Sequence, residues 1–187
     1  MGKLDNRNIA ILSEDGFEEV ELTSPKQRLL DEGATVHIIS PKKKTIRSWK
    51  DDNWGMELTV DKLVEEANPA DYHGLLIPGG VANPDLLRRY ESVVDFIKHF
   101  FEEGKPIATI CHGPQVLIET GALQHRELTS FPSIKTDLKN AGAKWIDMEV
   151  VTDQGLVTSR SPKDLPAFND KMVEEFREGV HEAQKTV

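Results

Sequence analysis

Four short apolar runs, NIAILS (8–13), TVHIIS (35–40), GLLI (74–77) and KPIATI (105–110), recur along the chain with helical patterns between them. Runs of this length that do not alternate with polar residues read as strands buried on both faces. Strands of that kind separated by helices pack as a parallel sheet with helices on either side, so the expected class is an α/β sandwich. The helical patterns cover Glu19 to Glu32, closed by Gly33; Pro84 to Tyr90, with Asn83 as cap and Pro84 in the tolerated first position; Ser92 to Glu103; Gln115 to Thr120, ended by Gly121; and Ser133 to Asn140. Lys144 to Val151 and Leu156 to Thr158 read as strands, and Leu165 to Ala183 as an amphipathic helix whose charged residues form a solvated face. Residues 41–73 give no clear pattern. With 187 residues, the chain is expected to fold as one domain spanning 1–187.

Charge and cysteine content narrow the function. A net charge of -9 argues against nucleic acid as a specific partner. The one basic cluster, Lys42 to Lys44 with Arg47, reads as a solvated loop. A single cysteine forms no internal disulfide, MGKLDNRNIAIL lacks a signal-peptide layout, Asn6 stands where a myristoylation signal needs Ser or Thr, and no apolar run reaches membrane-spanning length. The expectation is a cytoplasmic protein without a membrane partner. No GxGxxG or Walker pattern occurs, and the histidines other than His112, at 37, 73, 99, 125 and 181, lack metal-ligand spacing, so neither cofactor nor metal is expected.

Ligands of open α/β sheets bind beyond the carboxyl ends of the strands. Three unusual stretches fall there: Glu18 and Glu21 after the first strand, Pro78-Gly79-Gly80 after the third, and Cys111-His112 after the fourth. A free cysteine is often a small buried hydrophobe. Cys111, however, lies between a buried strand and a helix starting near Pro114, on a sharp turn like a hydrolase nucleophile elbow. The N–H groups of that helix would favour a thiolate and lower its pKa. His112 reads either as a general acid or base or as a turn residue facing solvent. Gly79 and Gly80 read either as simple chain reversal or as donors to an oxyanion beside Cys111. Glu18, Glu19 and Glu21 suit the start of a helix on dipole grounds alone. Glu18 and Glu21 share one helical face, and if it looks into the cleft their repulsion would keep one carboxyl protonated near the sulfur.

DGFEEVEL (15–22), LLIPGG (75–80), ICHGP (110–114) and LVTSRSPKDLPAFN (156–169) together resemble the PfpI family of the class I glutamine amidotransferase-like superfamily, which includes bacterial general stress proteins and protein deglycases. Four motifs agree in order and spacing, and the resemblance runs from Asn8 to about Phe176. It implies a flavodoxin-like three-layer sandwich with a mostly parallel central sheet. It also implies a nucleophilic or redox-active Cys111 beside His112, and Glu21 as the carboxyl that contacts the thiol. Glu18 and Gly113 would belong to the pocket, and Gly80, next to Gly79, would join the His112 amide as an oxyanion donor. Asp85 falls where some members carry an acid that completes a Cys-His-acid triad across a subunit interface, which implies a homodimer or higher oligomer. GGVANPD is one residue longer than the common pattern. Phe131 replaces a pocket tyrosine, so any role needing that hydroxyl is lost.

Three activities follow from the resemblance, in this order. The first is cofactor-free, cysteine-dependent chemistry on reactive carbonyls or early glycation adducts in a stress response, for which a small, polar, acidic-lined pocket is expected. The second is an intracellular cysteine peptidase using Cys111, His112 and Asp85. The third is a non-enzymatic redox sensor or holdase chaperone.

Overall fold

The computed structural model describes residues 2–184. Among these residues, twelve strands and five α-helices occur in the order β1 (Asn8–Leu12), β2 (Phe17–Glu18), α1 (Glu19–Asp31), β3 (Thr35–Ser40), β4 (Thr45–Lys50), β5 (Asn53–Thr59), β6 (Lys62–Leu63), β7 (Gly74–Ile77), α2 (Ala82–Leu87), α3 (Glu91–Glu102), β8 (Ile107–Ile110), β9 (Glu127–Leu128), α4 (Lys135–Asn140), β10 (Lys144–Trp145), β11 (Val151–Asp153), β12 (Leu156–Ser159) and α5 (Leu165–Glu178). The central sheet has the order β11-β12-β8-β7-β1-β3-β6. It is parallel except for β11, which runs antiparallel on β12. This is the expected three-layer α/β architecture.

The period-two alternation of a strand explains why both faces need cover. Ile9 and Ile11 of β1 pack with Leu22, Leu29, Phe168, Met172 and Phe176 of α1 and α5. Ala10 and Leu12 of the same strand join Leu87, Ile97, Phe100 and Leu138 on the opposite face, beneath α2, α3 and α4. Each fully buried side chain of this size contributes roughly 1.5–3 kcal/mol. The chain leaves β1 through α1 toward β3, and leaves β7 through α3 toward β8 on the other side. The connections therefore part between β1 and β7, which opens a crevice at their carboxyl ends.

Several local expectations are corrected. Residues 113–120 form a 3-10 helix rather than an α-helix. The second helix spans Ala82–Leu87, and Asn83 lies buried inside it instead of capping it. Its side chain accepts from the Glu14 N–H and donates to the Pro78 and Gly79 carbonyls, which ties the β1 and β7 loops together. Lys144 to Val151 is strand only at its two ends. The last α-helix stops at Glu178, where Gly179 turns the chain.

The unassigned middle stretch holds the β4–β5 hairpin, which pairs with β2 in a separate three-stranded sheet. Asp51 and Asp52 turn it with φ of 48° and 60°, the double left-handed geometry of a type I′ turn. Among the described residues, no helix is long and apolar enough to cross a membrane.

Candidate active site

Cys111 follows β8 directly and has φ of 63°, a left-handed conformation that costs a non-glycine residue about 1–3 kcal/mol. Neighbouring strands and loops hold it there: its N–H donates to Ser159 O at 2.9 Å, and its carbonyl accepts from Phe131 N at 2.8 Å. The result is the strained strand-to-helix elbow anticipated from ICHGP, with the thiol buried at 8% exposure.

Three elements converge on the sulfur. Glu21 arrives in the first turn of α1, fully buried. Pro25, four residues on, offers no N–H to the Glu21 carbonyl, so the helix lacks a bond at this residue. Gly79 comes from the β7 loop. A Cβ there would stand 2.2 Å from Glu21 Oε2 and 2.6 Å from Cys111 Cβ, so only glycine leaves room for carboxyl and thiol to meet. Gly80 has φ of 84°, and a Cβ on it would strike Gly16 O at 2.2 Å.

Burial pushes the Glu21 carboxyl up to about 8, with the charge of Glu18 adding to the effect and the thiol and the Gly79 and Gly80 amides opposing it. Neither carboxyl oxygen makes a well-aligned hydrogen bond, although these groups are its electrostatic neighbours. At neutral pH Glu21 is therefore mostly protonated, and burial is the main cause, where the sequence reading named repulsion by Glu18. Burial raises the Cys111 thiol as well, followed by the negative charge of Glu21, while the Gly80 and His112 N–H groups favour the thiolate. The expectation of a lowered thiol pKa is thus reversed. The 3-10 turn gives a weaker N-terminal field than an α-helix, and desolvation outweighs it. Once Glu21 holds the proton, its share of the penalty vanishes and the carboxyl becomes a donor toward sulfur. Glu18 lines the same space, and burial, then Asp51 and Glu19, raise its carboxyl.

The His112 ring is held at three places. Nδ1 lies 3.2 Å from Cys111 Sγ, Nε2 lies 2.9 Å from Ser133 Oγ, and the ring stacks on Phe131 at 4.8 Å between centroids. The ring therefore turns a nitrogen toward the thiol and is not a turn side chain facing solvent. Burial lowers its pKa, so the neutral ring is favoured. A ring that donates Nε2–H to Ser133 presents a free lone pair at Nδ1 to the thiol.

Above this centre opens a cleft of about 470 Å³ lined by Glu18, Glu21, Gly80, Cys111, His112 and Phe131, together with Trp49, Trp54, Val81 and Pro162. The walls are largely apolar, which corrects the expectation of a small polar pocket. Trp49 and Trp54 face each other across the hairpin, edge to face at 5.4 Å. Glu19 clamps this hairpin to α1 by accepting from Ser48, Lys50 and the Met56 amide, and these bonds hold its carboxyl down at about 2. The sequence reading missed both tryptophans and Ser133. WKDDNW, two aromatics flanking a pair of turn-forming aspartates, carries the hairpin signal.

Two expected site residues stand elsewhere. Gly113 does not line the cleft: its Cα packs against Thr109, Ile77 and Pro78, where a Cβ would lie 2.2 Å from Thr109 Oγ1. Asp85 is exposed in the first turn of α2 and does not line the cleft of its own chain.

A cysteine elbow beside a buried carboxyl, at the switch point of a parallel sheet, defines a class of cysteine-centred α/β sandwiches. The chain belongs to the DJ-1/PfpI family, which it matches over residues 7–175. It is 46% identical over 165 residues to "Deglycase PYRAB04690" of Pyrococcus abyssi, covering 88% of this chain and 96% of that one. Over 166 residues it is 43% identical to "Protein/nucleic acid deglycase 2" of Escherichia coli, covering 88% and 94%. The crystal structure of an Anabaena variabilis protein with DJ-1/ThiJ/PfpI-like and ferritin-like domains superposes with a TM-score of 0.84 at 34% identity, covering 90% of this chain and 48% of that one.

Proposed function

We propose that this protein is a cysteine-dependent, cofactor-free enzyme of a stress response that acts on reactive carbonyls and early glycation adducts, with Cys111 as nucleophile. One observation carries the reading: Cys111 sits in a left-handed elbow on the cleft floor, with the buried, protonated Glu21 on one side and His112 Nδ1 3.2 Å away on the other. The names of the deglycase relatives agree with it.

With methylglyoxal, the Cys111 proton passes to His112 Nδ1 as sulfur bonds to the aldehyde carbon, and the carbonyl π pair moves to oxygen. The Gly80 and His112 N–H groups stabilise that oxyanion, which takes up a proton to give a hemithioacetal. Removal of the carbon-bound proton and its return to the adjacent carbon, with Glu21 and His112 as carriers, converts the hemithioacetal into a lactoyl thioester. Water then cleaves the thioester, releasing lactate and restoring the thiol. The net change is addition of one water, with no external oxidant or reductant. The volume of the cleft and its aromatic walls favour substrates larger than methylglyoxal, such as an early adduct still carried on a protein side chain.

Purified protein should consume methylglyoxal without glutathione, and Cys111→Ser should abolish this. Full activity in the serine variant would overturn the mechanism. A peptidase would instead cleave fluorogenic peptides and lose that activity in Asp85→Ala. Because Ser133 already engages His112 Nε2, the carbonyl reaction requires no acid from a second subunit, and Asp85→Ala should leave it unchanged.

A further inference from the structure

At the end of α5, Glu175 and Glu178 stand one turn apart on the same face. Gly179 ends the helix and turns the chain, and the His181 N–H then anchors to Gly104 O at 2.7 Å. The imidazole comes back onto the two carboxylates. Its Nε2 lies 3.2 Å from Glu175 Oε2 and 4.0 Å from Glu178 Oε2, and the three ligand atoms all lie within 4.8 Å of one another.

Glu175 is only 6% exposed, yet among the described residues its Oε2 makes no hydrogen bond, and neither does the buried Nε2 of His181. The two atoms face each other without the alignment a hydrogen bond requires. Lys171, one turn earlier, is engaged by Glu174 at 2.8 Å. Ligand atoms about 2.0–2.1 Å from a tetrahedral ion lie about 3.4 Å from each other; the His181–Glu175 separation of 3.2 Å matches this, and the exposed Glu178 carboxylate, 4.0 Å from the ring, would move inward to close the site. One imidazole and two carboxylates form a donor set suited to a first-row divalent ion.

We propose that Glu175, Glu178 and His181 bind a divalent transition ion, Zn²⁺ by donor set, with water completing the coordination. Gly104 precedes β8, and Gly155, against which the His181 ring packs, precedes β12. The site therefore lies at the amino edge of the sheet, away from Cys111 at the carboxyl edge. Its role is to fasten the segment after α5 to the sheet, not to take part in chemistry at the thiol.

The test uses the full chain carrying Cys111→Ser, so that the thiol cannot bind the ion, stripped with chelator and titrated with Zn²⁺. About one equivalent should bind, and the Tm should rise with Zn²⁺ concentration, because an ion held only by the folded state stabilises it. Adding His181→Ala should abolish both effects. Glu178 is 48% exposed, so Glu178→Gln should keep the fold while weakening binding at least tenfold. Absence of binding, or binding unchanged by both substitutions, would overturn the proposal.

Discussion

The two edges of the central sheet each bury a glutamate that makes no hydrogen bond among the described residues, and they resolve the same problem differently. At the carboxyl edge, Glu21 is surrounded by a thiol, two backbone amides and a second carboxyl, so burial leaves it holding a proton at neutral pH. At the amino edge, burial also raises Glu175, but His181 opposes the shift. A buried carboxyl becomes a proton carrier where its neighbours are weak acids, and half of an ion pair or a metal ligand where its neighbour is an imidazole.

The pH dependence of stability challenges this contrast most directly. Glu21 has a folded pKa of about 8, above its unfolded value of about 4.5, so its stabilising effect is complete below pH 4.5 and lost as pH rises through 8. The stability of wild type relative to Glu21→Gln should therefore fall by up to about 1.4 kcal/mol per pH unit across that window, about 5 kcal/mol in all, as read by denaturant titration. A constant difference would mean that Glu21 is ionised in the folded protein. Glu175→Gln, measured with chelator present, should show a slope of the same sign but smaller size, because the histidine opposes the shift; an equal or steeper slope would erase the difference between the edges.

Kinetics probe the carboxyl edge more finely. Glu21→Gln should lower kcat about 10²-fold or more, in line with loss of a general acid or base. Ser133→Ala should lower kcat several-fold with little change in KM, and Ser133→Thr should restore much of the loss, because the hydroxyl only holds the His112 ring in place. The smallest effect is expected from Trp54→Ala: raised KM for adducts on a peptide, with kcat for methylglyoxal unchanged. Equal losses on both substrates would remove the hairpin from substrate selection.

Much of the carboxyl edge was legible in the sequence. Apolar runs of four to six residues located the parallel strands, and strand direction places whatever follows them at one edge, so the amino-acid order alone brings Cys111, Gly80 and Glu21 together. Several features resisted such reading. Asn83 looked like a cap because its type favours that position, but the pull of four buried polar groups overrode the local preference. Trp49 and Trp54 stayed unread because their hairpin is turned by Asp-Asp, a weaker signal than Asn-Gly.

Periodicity and motifs local to strand ends were enough to specify the sandwich, the elbow and the family. The thiol's electrostatics, the apolar cleft and the Glu175-Glu178-His181 cluster emerge only in the folded chain. Desolvation and the meeting of distant side chains depend on what packs around a residue, and spacing along the chain does not encode that.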